Sequence, residues 1–438
     1  MKILKTGGSS KMKKSNTPKS TAKPDAKALL VSVRTPEISV VEAEESLQEL
    51  ERLVTTLGFK VIGRDFQNRP NTTGATAVGA GKLRELVRWT GGISPGEPLS
   101  DASIEDEAEA FASLSKMGSL SAIPEELATV VVFDCDLRPS QLRHLENAFG
   151  VEVLDRTGVI IEIFSKHAKT RSARLQVEIA RLNYISPRLR ETGSSGERQS
   201  GRGSGESALA TERRAIRDRL AELKRELADL QDKQGEHRNV RADQCSVALV
   251  GYTNAGKSST MRALTGSDVL VEDKLFATLD TTVRSMKPET HPRILISDTV
   301  GFIKKLPHDL VASFKSTLDE ALHASLLLYI VDASDPTFRS QLKVVDDVLQ
   351  EVGVRDTESL LLLNKEDLID AEMKKRLRRE FPKAIFLSTL DTSSIAAIRE
   401  QILLFFEKDF VDTEIFSAYA TEGLVGEIRS FTRVMPKG

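Results

Sequence analysis

Cysteine is nearly absent: Cys135 and Cys245 are the only two in 438 residues. Lying so far apart, they supply neither a disulfide framework nor the close spacing of a metal site, and a reduced, intracellular setting is expected. No apolar run approaches the roughly 20 residues that cross a bilayer, which argues against an integral membrane protein. The first 27 residues lack arginine, and no acid precedes Asp25, while Lys, Ser and Thr recur. That composition describes a disordered basic tail. An organellar transit peptide, which favours Arg, is the lesser alternative, and a cytoplasmic location is the expectation. A formal net charge of −2 points to no partner.

What is present is a phosphate-binding loop. Gly251-Tyr252-Thr253-Asn254-Ala255-Gly256-Lys257-Ser258 fits G-x-x-x-x-G-K-[ST], with a buried-strand pattern before it (residues 246–250) and a helix start after it (residues 259–264). The glycines let backbone N–H groups point at phosphates, and the helix N-terminus adds positive potential. Lys257 is then the group that reaches the β- and γ-phosphates, and the Ser258 hydroxyl the one that holds Mg²⁺.

Three further segments follow apolar strands in the order a guanine-nucleotide domain needs. Asp298-Thr299-Val300-Gly301 supplies a carboxylate to hold Mg²⁺ through water and a Gly301 N–H for the γ-phosphate. Asn364-Lys365-Glu366-Asp367 supplies a carboxylate that accepts from N1–H and the 2-amino group of guanine. Adenine has neither donor and would leave a buried Asp at 367 unpaired. Ser388-Thr389-Leu390 offers backbone N–H groups to the guanine O6. Switch one requires a Thr for Mg²⁺ and the γ-phosphate, and Phe276-Ala277-Thr278-Leu279-Asp280-Thr281-Thr282 offers three, between which spacing does not choose. Many GTPases carry a water-orienting Gln after Asp-x-x-Gly. Phe302 stands there, so slow intrinsic hydrolysis is expected, with a partner or an ion completing the site. Asn254 is a candidate to help bind a monovalent cation such as K⁺, or else shapes the loop through its own hydrogen bonds.

The remaining chain divides by composition. Residues 28–164 alternate strands (28–33, 59–64, 129–133, 151–154) with helices (40–57, 81–89, 137–149), the pattern of a mostly parallel α/β sheet, interrupted by an acidic insertion at 90–128. Residues 165–241 carry eighteen Lys and Arg against eleven Asp and Glu. There Ile216, Leu220, Leu223, Leu227 and Leu230 repeat at coiled-coil steps and face Leu175, Ile179 and Leu182 on a helix expected over 168–183. A basic antiparallel hairpin results, with a glycine-rich tip at 193–205 bearing Arg198 and Arg202, suited to RNA phosphates or simply solvated. The GTPase domain, doubly wound and mostly parallel, occupies 242–409, and 410–438 forms a tail.

These residues together resemble the HflX family of translational GTPases. The resemblance is carried by the phosphate loop, by Leu275 to Asp280, by Asp298 to Phe302, and by Leu306-Pro307-His308-Asp309-Leu310. Outside the GTPase domain it is carried by Leu137 to Glu146, Asp155-Arg156-Thr157 and Leu175-Gln176-Val177-Glu178. It covers about residues 28–410. The resemblance implies a monomeric factor that binds GTP, GDP and the large ribosomal subunit, with the hairpin reaching toward the peptidyl-transferase region. It also implies Thr278 as the switch-one ligand of Mg²⁺, which with Lys257, Gly301 and Asn254 read from the motifs above makes the expected catalytic set. The function implied is splitting or rescue of stalled or idle ribosomes; large-subunit assembly and a protein-binding regulatory switch are the alternatives. Three positions depart from the family: Ser204 at the tip replaces a Pro, Ala80 in Gly79-Ala80-Gly81-Lys82 replaces a Lys, and Thr281 replaces a Pro.

Overall fold

The computed structural model describes residues 26–92, 126–192, 205–239, 245–267, 275–276, 281–307, 320–355 and 357–408. The basic tail before Ala26, most of the acidic insertion, the hairpin tip with Arg198 and Arg202, and the carboxy-terminal tail lie outside the described residues.

Strand β1 (Lys27–Arg34) is buried along almost its whole length, as a central parallel strand covered on both faces must be. It pairs in parallel with β2 (Lys60–Asn68) and β3 (Val130–Phe133), and β4 (Glu152–Asp155) completes the order β2-β1-β3-β4. Helix α1 (Val40–Thr56) starts at a reciprocal cap: the Ser39 hydroxyl accepts from the Glu42 N–H and the Glu42 carboxylate accepts from the Ser39 N–H. Helices α2 (Ala80–Thr90) and α3 (Pro139–Phe149) cover one face, where Leu86, Leu145 and Phe149 pack on Leu29, Val31 and Phe133. On the other face α1 and α4 (Arg156–His167) place Leu50, Leu53, Ile160 and Phe164 against Leu30 and Val132.

Helix α4 has no counterpart in the sequence reading, which ended the domain at 164. Val159, Ile160, Ile161, Ile163 and Phe164 are all buried, so the segment is apolar nearly all round and shows no 3.6-residue stripe. The first hairpin helix, α5, runs over Arg171–Thr192 rather than 168–183, continuing through Pro187. It lies antiparallel to α6 (Gly205–Asn239), with Leu175, Ile179, Leu182 and Leu223 buried in the seam and Ile216, Leu220, Leu227 and Leu230 beside it. Arg171 pairs with Glu226 and Arg219 with Glu178 across the hairpin. The opposite face of α5, with Ala173, Val177 and Ala180, packs into the core beside α4. The basic outer face expected of the hairpin is not evenly spread: over residues 211–232 of α6, six Lys and Arg meet six Asp and Glu.

The second sheet has the order β10-β9-β8-β5-β7-β6. Its strands are β5 (Cys245–Gly251), β6 (Thr282–Ser285), β7 (Ile294–Asp298), β8 (Leu326–Asp332), β9 (Ser359–Asn364) and β10 (Ile385–Phe386). All neighbours are parallel except β6, which runs antiparallel to β7. Helices α7 (Lys257–Thr265), α8 (Phe338–Val352), α9 (Ala371–Glu380) and α10 (Thr392–Glu407) complete a doubly wound α/β domain. One apolar cluster runs from the α1/α4 face of the first sheet into this domain, and Phe164 meets Phe276 edge-on with ring centroids 4.5 Å apart. No described helix is long and apolar enough to cross a membrane.

Candidate nucleotide site

The phosphate loop connects the end of β5 to the start of α7, with Asn254 at φ 60° and Gly256 at φ 100°. Gly256 is needed twice over: its backbone is left-handed, and a Cβ would lie 2.0 Å from Asn364 Nδ2. That amide donates to the Ala255 carbonyl at 2.8 Å, tying the Asn364–Asp367 loop to the phosphate loop. Lys257 is buried, and its ammonium donates to the carbonyls of Gly251 (3.1 Å) and Tyr252 (2.8 Å). Burial lowers its pKa to about 8, against the opposing pull of Asp298.

Asp298 ends β7 fully buried and accepts from the Ser258 hydroxyl at 2.7 Å. A hydroxyl and one carboxylate, both hard oxygen donors at a helix N-terminus, fit Mg²⁺, which takes few protein ligands and fills its octahedron with water and phosphate oxygens. Among the described residues no group of three His, Cys, Asp or Glu side chains could hold a metal alone. Thr299 donates its hydroxyl to the Leu249 carbonyl at 2.7 Å, and Val300 is buried, so these two hold the strand end in place. At Gly301 a Cβ would lie 2.8 Å from Thr253 Cγ2 and 3.1 Å from Lys257 Nζ, a space that only glycine fits. Phe302 forms a parallel bridge with Tyr252: its N–H donates to the Gly251 carbonyl (3.2 Å) and its carbonyl accepts from the Thr253 N–H (2.8 Å). Its ring is buried in the core, where it orients no water.

At the Asn364–Asp367 end, Asp367 is exposed rather than buried as expected, and its Oδ1 accepts from Ser388 Oγ at 2.6 Å. The Leu390 N–H donates to the same hydroxyl at 3.3 Å, Leu390 itself is exposed, and Thr389 is half-buried. Lys365, in left-handed backbone at φ 61°, pairs with Asp332 at 2.6 Å, and Glu366 pairs with Lys374. Of the switch-one segment, Phe276 is placed, buried against Phe164, as are Thr281 and Thr282, the latter opening β6; Ala277, Thr278, Leu279 and Asp280 lie outside the described residues.

One set of residues escaped the sequence reading: those through which the amino-terminal domain grips the site. The Tyr252 hydroxyl donates to the Glu49 carboxylate on α1 and accepts from the Lys304 N–H at 2.6 Å. Burial, with Glu49 beside it, pushes the Tyr252 phenol well above its ordinary pKa. Arg156 is buried between Glu49 and Asp134, donating to Asp134 Oδ1 at 2.7 Å and to the Lys304 carbonyl at 3.2 Å. Lys304 reaches Glu45 at 3.1 Å, and Lys305 reaches Ser46 Oγ at 2.9 Å and Asp134 Oδ2 at 3.0 Å. The sequence signal was slight: an Arg opening an otherwise apolar run, and two lysines directly after Phe302-Ile303.

Comparison with known proteins matches all three parts of the chain. Residues 44–93 and 103–165 match a family described as GTP-binding GTPase N-terminal, residues 167–241 its middle region, and residues 246–365 a 50S ribosome-binding GTPase. A GTPase HflX of Gluconacetobacter diazotrophicus is 53% identical over 422 residues, covering 95% of this chain and 93% of that protein. The GTPase HflX of Escherichia coli K12 is 38% identical over 401 residues, covering 90% and 82%. Among solved structures, a GTP-binding protein from Sulfolobus solfataricus in complex with GDP aligns at 21% identity, covering 87% of this chain and 99% of that one, with a TM-score of 0.42. On the extent of its identity to these curated relatives, the chain belongs to the HflX family of GTPases, enzymes that bind and hydrolyse GTP.

Proposed function

We propose that the protein is a cytoplasmic, GTP-driven factor of the large ribosomal subunit that splits or rescues stalled or idle ribosomes. The observation that carries this reading is the match of residues 246–365 to a family described as 50S ribosome-binding GTPase, on a chain that also mounts a long helical hairpin. Lys257 and the phosphate-loop N–H groups would hold the β- and γ-phosphates, and the Gly301 N–H the γ-phosphate. Ser258, with Thr278 of switch one, would ligate Mg²⁺, and Asp298 would hold it through water. The ion would neutralise charge gathering on the β- and γ-oxygens. Asp367 would read guanine, oriented by Ser388. Asn254, exposed in left-handed backbone beside the phosphate path, would help to seat K⁺. With Phe302 turned into the core, water is positioned only once a partner completes the site, so hydrolysis serves as a timer for release from the ribosome.

GTP turnover by the purified chain, with and without large subunits and in K⁺ or Na⁺, tests this. Stimulation of at least roughly tenfold, about 1.4 kcal/mol off the barrier, is expected. No stimulation would overturn the ribosomal reading in favour of a protein partner, and equal rates in both salts would remove the role given to Asn254. Sedimentation of whole ribosomes and of precursor subunits with the GTP-bound protein separates splitting from assembly.

A further inference from the structure

Asp155 and Arg156 are neighbours in sequence, yet they serve two different parts of the molecule. Asp155 is buried and caps α4 through the Gly158 N–H at 2.8 Å. Its carboxylate also accepts from the Tyr184 hydroxyl at 2.5 Å and from Arg188 at 2.7 Å, both on the hairpin helix α5, and from the Leu137 N–H at 3.2 Å. The Arg188 guanidinium lies over the Tyr184 ring, 3.3 Å from its centroid. Burial, with Asp155 adjacent, raises the Tyr184 phenol well above its usual pKa, so it stays a donor. The fit around the turn is close: a Cβ on Gly158 would lie 2.6 Å from Tyr184 Oη.

Arg156 faces the other way. Its guanidinium holds Asp134, Glu49 and the carbonyl of Lys304, directly after Phe302-Ile303 at the end of the segment from Asp298 to Phe302, switch two of the GTPase domain. Lys305 joins the same Asp134 carboxylate and stands in left-handed backbone, φ 56°. A non-glycine residue keeps that conformation only where its surroundings impose it. Here its ammonium is imposed upon by Ser46 and Asp134 of the amino-terminal domain.

We propose that the first turn of α4, Asp155-Arg156, is a relay in which both act as positioning residues, joining switch two of the GTPase domain to the tip-ward half of hairpin helix α5. In this relay, switch two shifts when the Gly301 N–H engages a γ-phosphate. Moving the Lys304 carbonyl then pulls on Arg156, and the turn that Arg156 opens also carries the cap seating Tyr184 and Arg188. Buried groups with discrete hydrogen-bond partners give two arrangements rather than a continuous range. Nucleotide state would in this way set how firmly the tip-ward half of α5 is held against the amino-terminal domain. The inference rests on the proposed ribosomal role only for what the hairpin tip would touch.

The test therefore uses the full chain without ribosomes. Amide exchange over residues 171–188 is compared with GDP and with a non-hydrolysable GTP analogue bound. The native chain should show exchange there differing by about fivefold or more between nucleotides, the low end of ordinary allosteric coupling. Tyr184→Phe with Arg188→Met should abolish the difference while nucleotide affinity stays native, and Lys305→Met, which loosens Asp134 but leaves the Lys304 carbonyl on Arg156, should reduce it. Tyr184→Phe alone, which keeps the ring, serves if the double variant folds poorly and should reduce the difference. Equal exchange with both nucleotides in the native chain, or a native-sized difference in the variants, would overturn the relay. Loss of ribosome stimulation with this exchange pattern intact would instead strike the functional reading.

Discussion

Asp367→Asn changes one atom of the carboxylate proposed to read guanine, and its consequences can be worked out from the site. In the proposed role the carboxylate would accept two hydrogen bonds, from N1–H and the 2-amino group, while Ser388 Oγ holds its Oδ1 at 2.6 Å. Hydrogen bonds to a charged acceptor contribute about 1.5–3 kcal/mol each. Asp367 is exposed, so each bond to guanine replaces one to water and the lower figure applies. Together they amount to about 3 kcal/mol, or roughly a hundredfold in affinity. An Asn keeps one acceptor for N1–H but turns an amide N–H toward the 2-amino group, setting donor against donor. Xanthine carries a carbonyl at that position, which the amide can serve. Titration of native and variant protein with GTP and XTP should show GTP weakened by about two orders of magnitude and XTP strengthened. Unchanged GTP affinity, or equal weakening for both nucleotides in a folded variant, would refute the assignment of Asp367.

The remaining predictions concern the loop and the domain junction. Gly256→Ala combines a left-handed φ with a Cβ 2.0 Å from the Asn364 amide, and should abolish GTP binding in a titration. Gly81→Ala, with nothing within 4 Å and a place in α2, should bind GTP normally and gain up to about 1 kcal/mol in urea. Asp134→Asn leaves the buried Arg156 short of a counter-charge and should cost about 3 kcal/mol. Lys305→Met, whose ammonium is half-exposed, should cost no more than about 1 kcal/mol. Urea unfolding followed by fluorescence of Trp89, the single tryptophan and part of the amino-terminal domain, compares the two; equal losses would count against the burial argument.

The sequence disclosed what repeats or what chemistry restricts. Strands such as β1 and β5 are short apolar runs bounded by polar residues, and both were placed to within a residue or two. The phosphate loop was legible because glycine at 256 has no substitute. The hairpin seam was legible because Leu175, Ile179 and Leu182 keep helical spacing. Helix α4 was not, since a segment buried on every side has no polar face to reveal its period. The second buried face of α5, with Val177 and Ala180, was hidden for the same reason: it packs on a helix that was itself unseen. The clasp of Glu49, Arg156 and Lys305 was also invisible, since its members are separated by more than a hundred residues and charged residues by default read as solvated.

That clasp bears on what the amino-terminal domain is for. In a parallel sheet of order β2-β1-β3-β4 the connections reverse direction between β1 and β3, and the crevice at the carboxyl ends of those strands is where such sheets take ligands. Asp134 stands directly after β3, and Ser46 on the helix that follows β1. Into that place comes Lys305 of the GTPase domain, donating to Asp134 Oδ2, the Asp134 carbonyl and Ser46 Oγ. A second small ligand bound there would have to displace Lys305 and leave Asp134 to Arg156 alone. The short loop Gly79-Ala80-Gly81-Lys82 offers no alternative phosphate cradle: Lys82 is spent on Asp65 and Glu85, at 3.0 and 2.8 Å. The domain has the architecture of a ligand-binding sheet, and the ligand it holds is switch two.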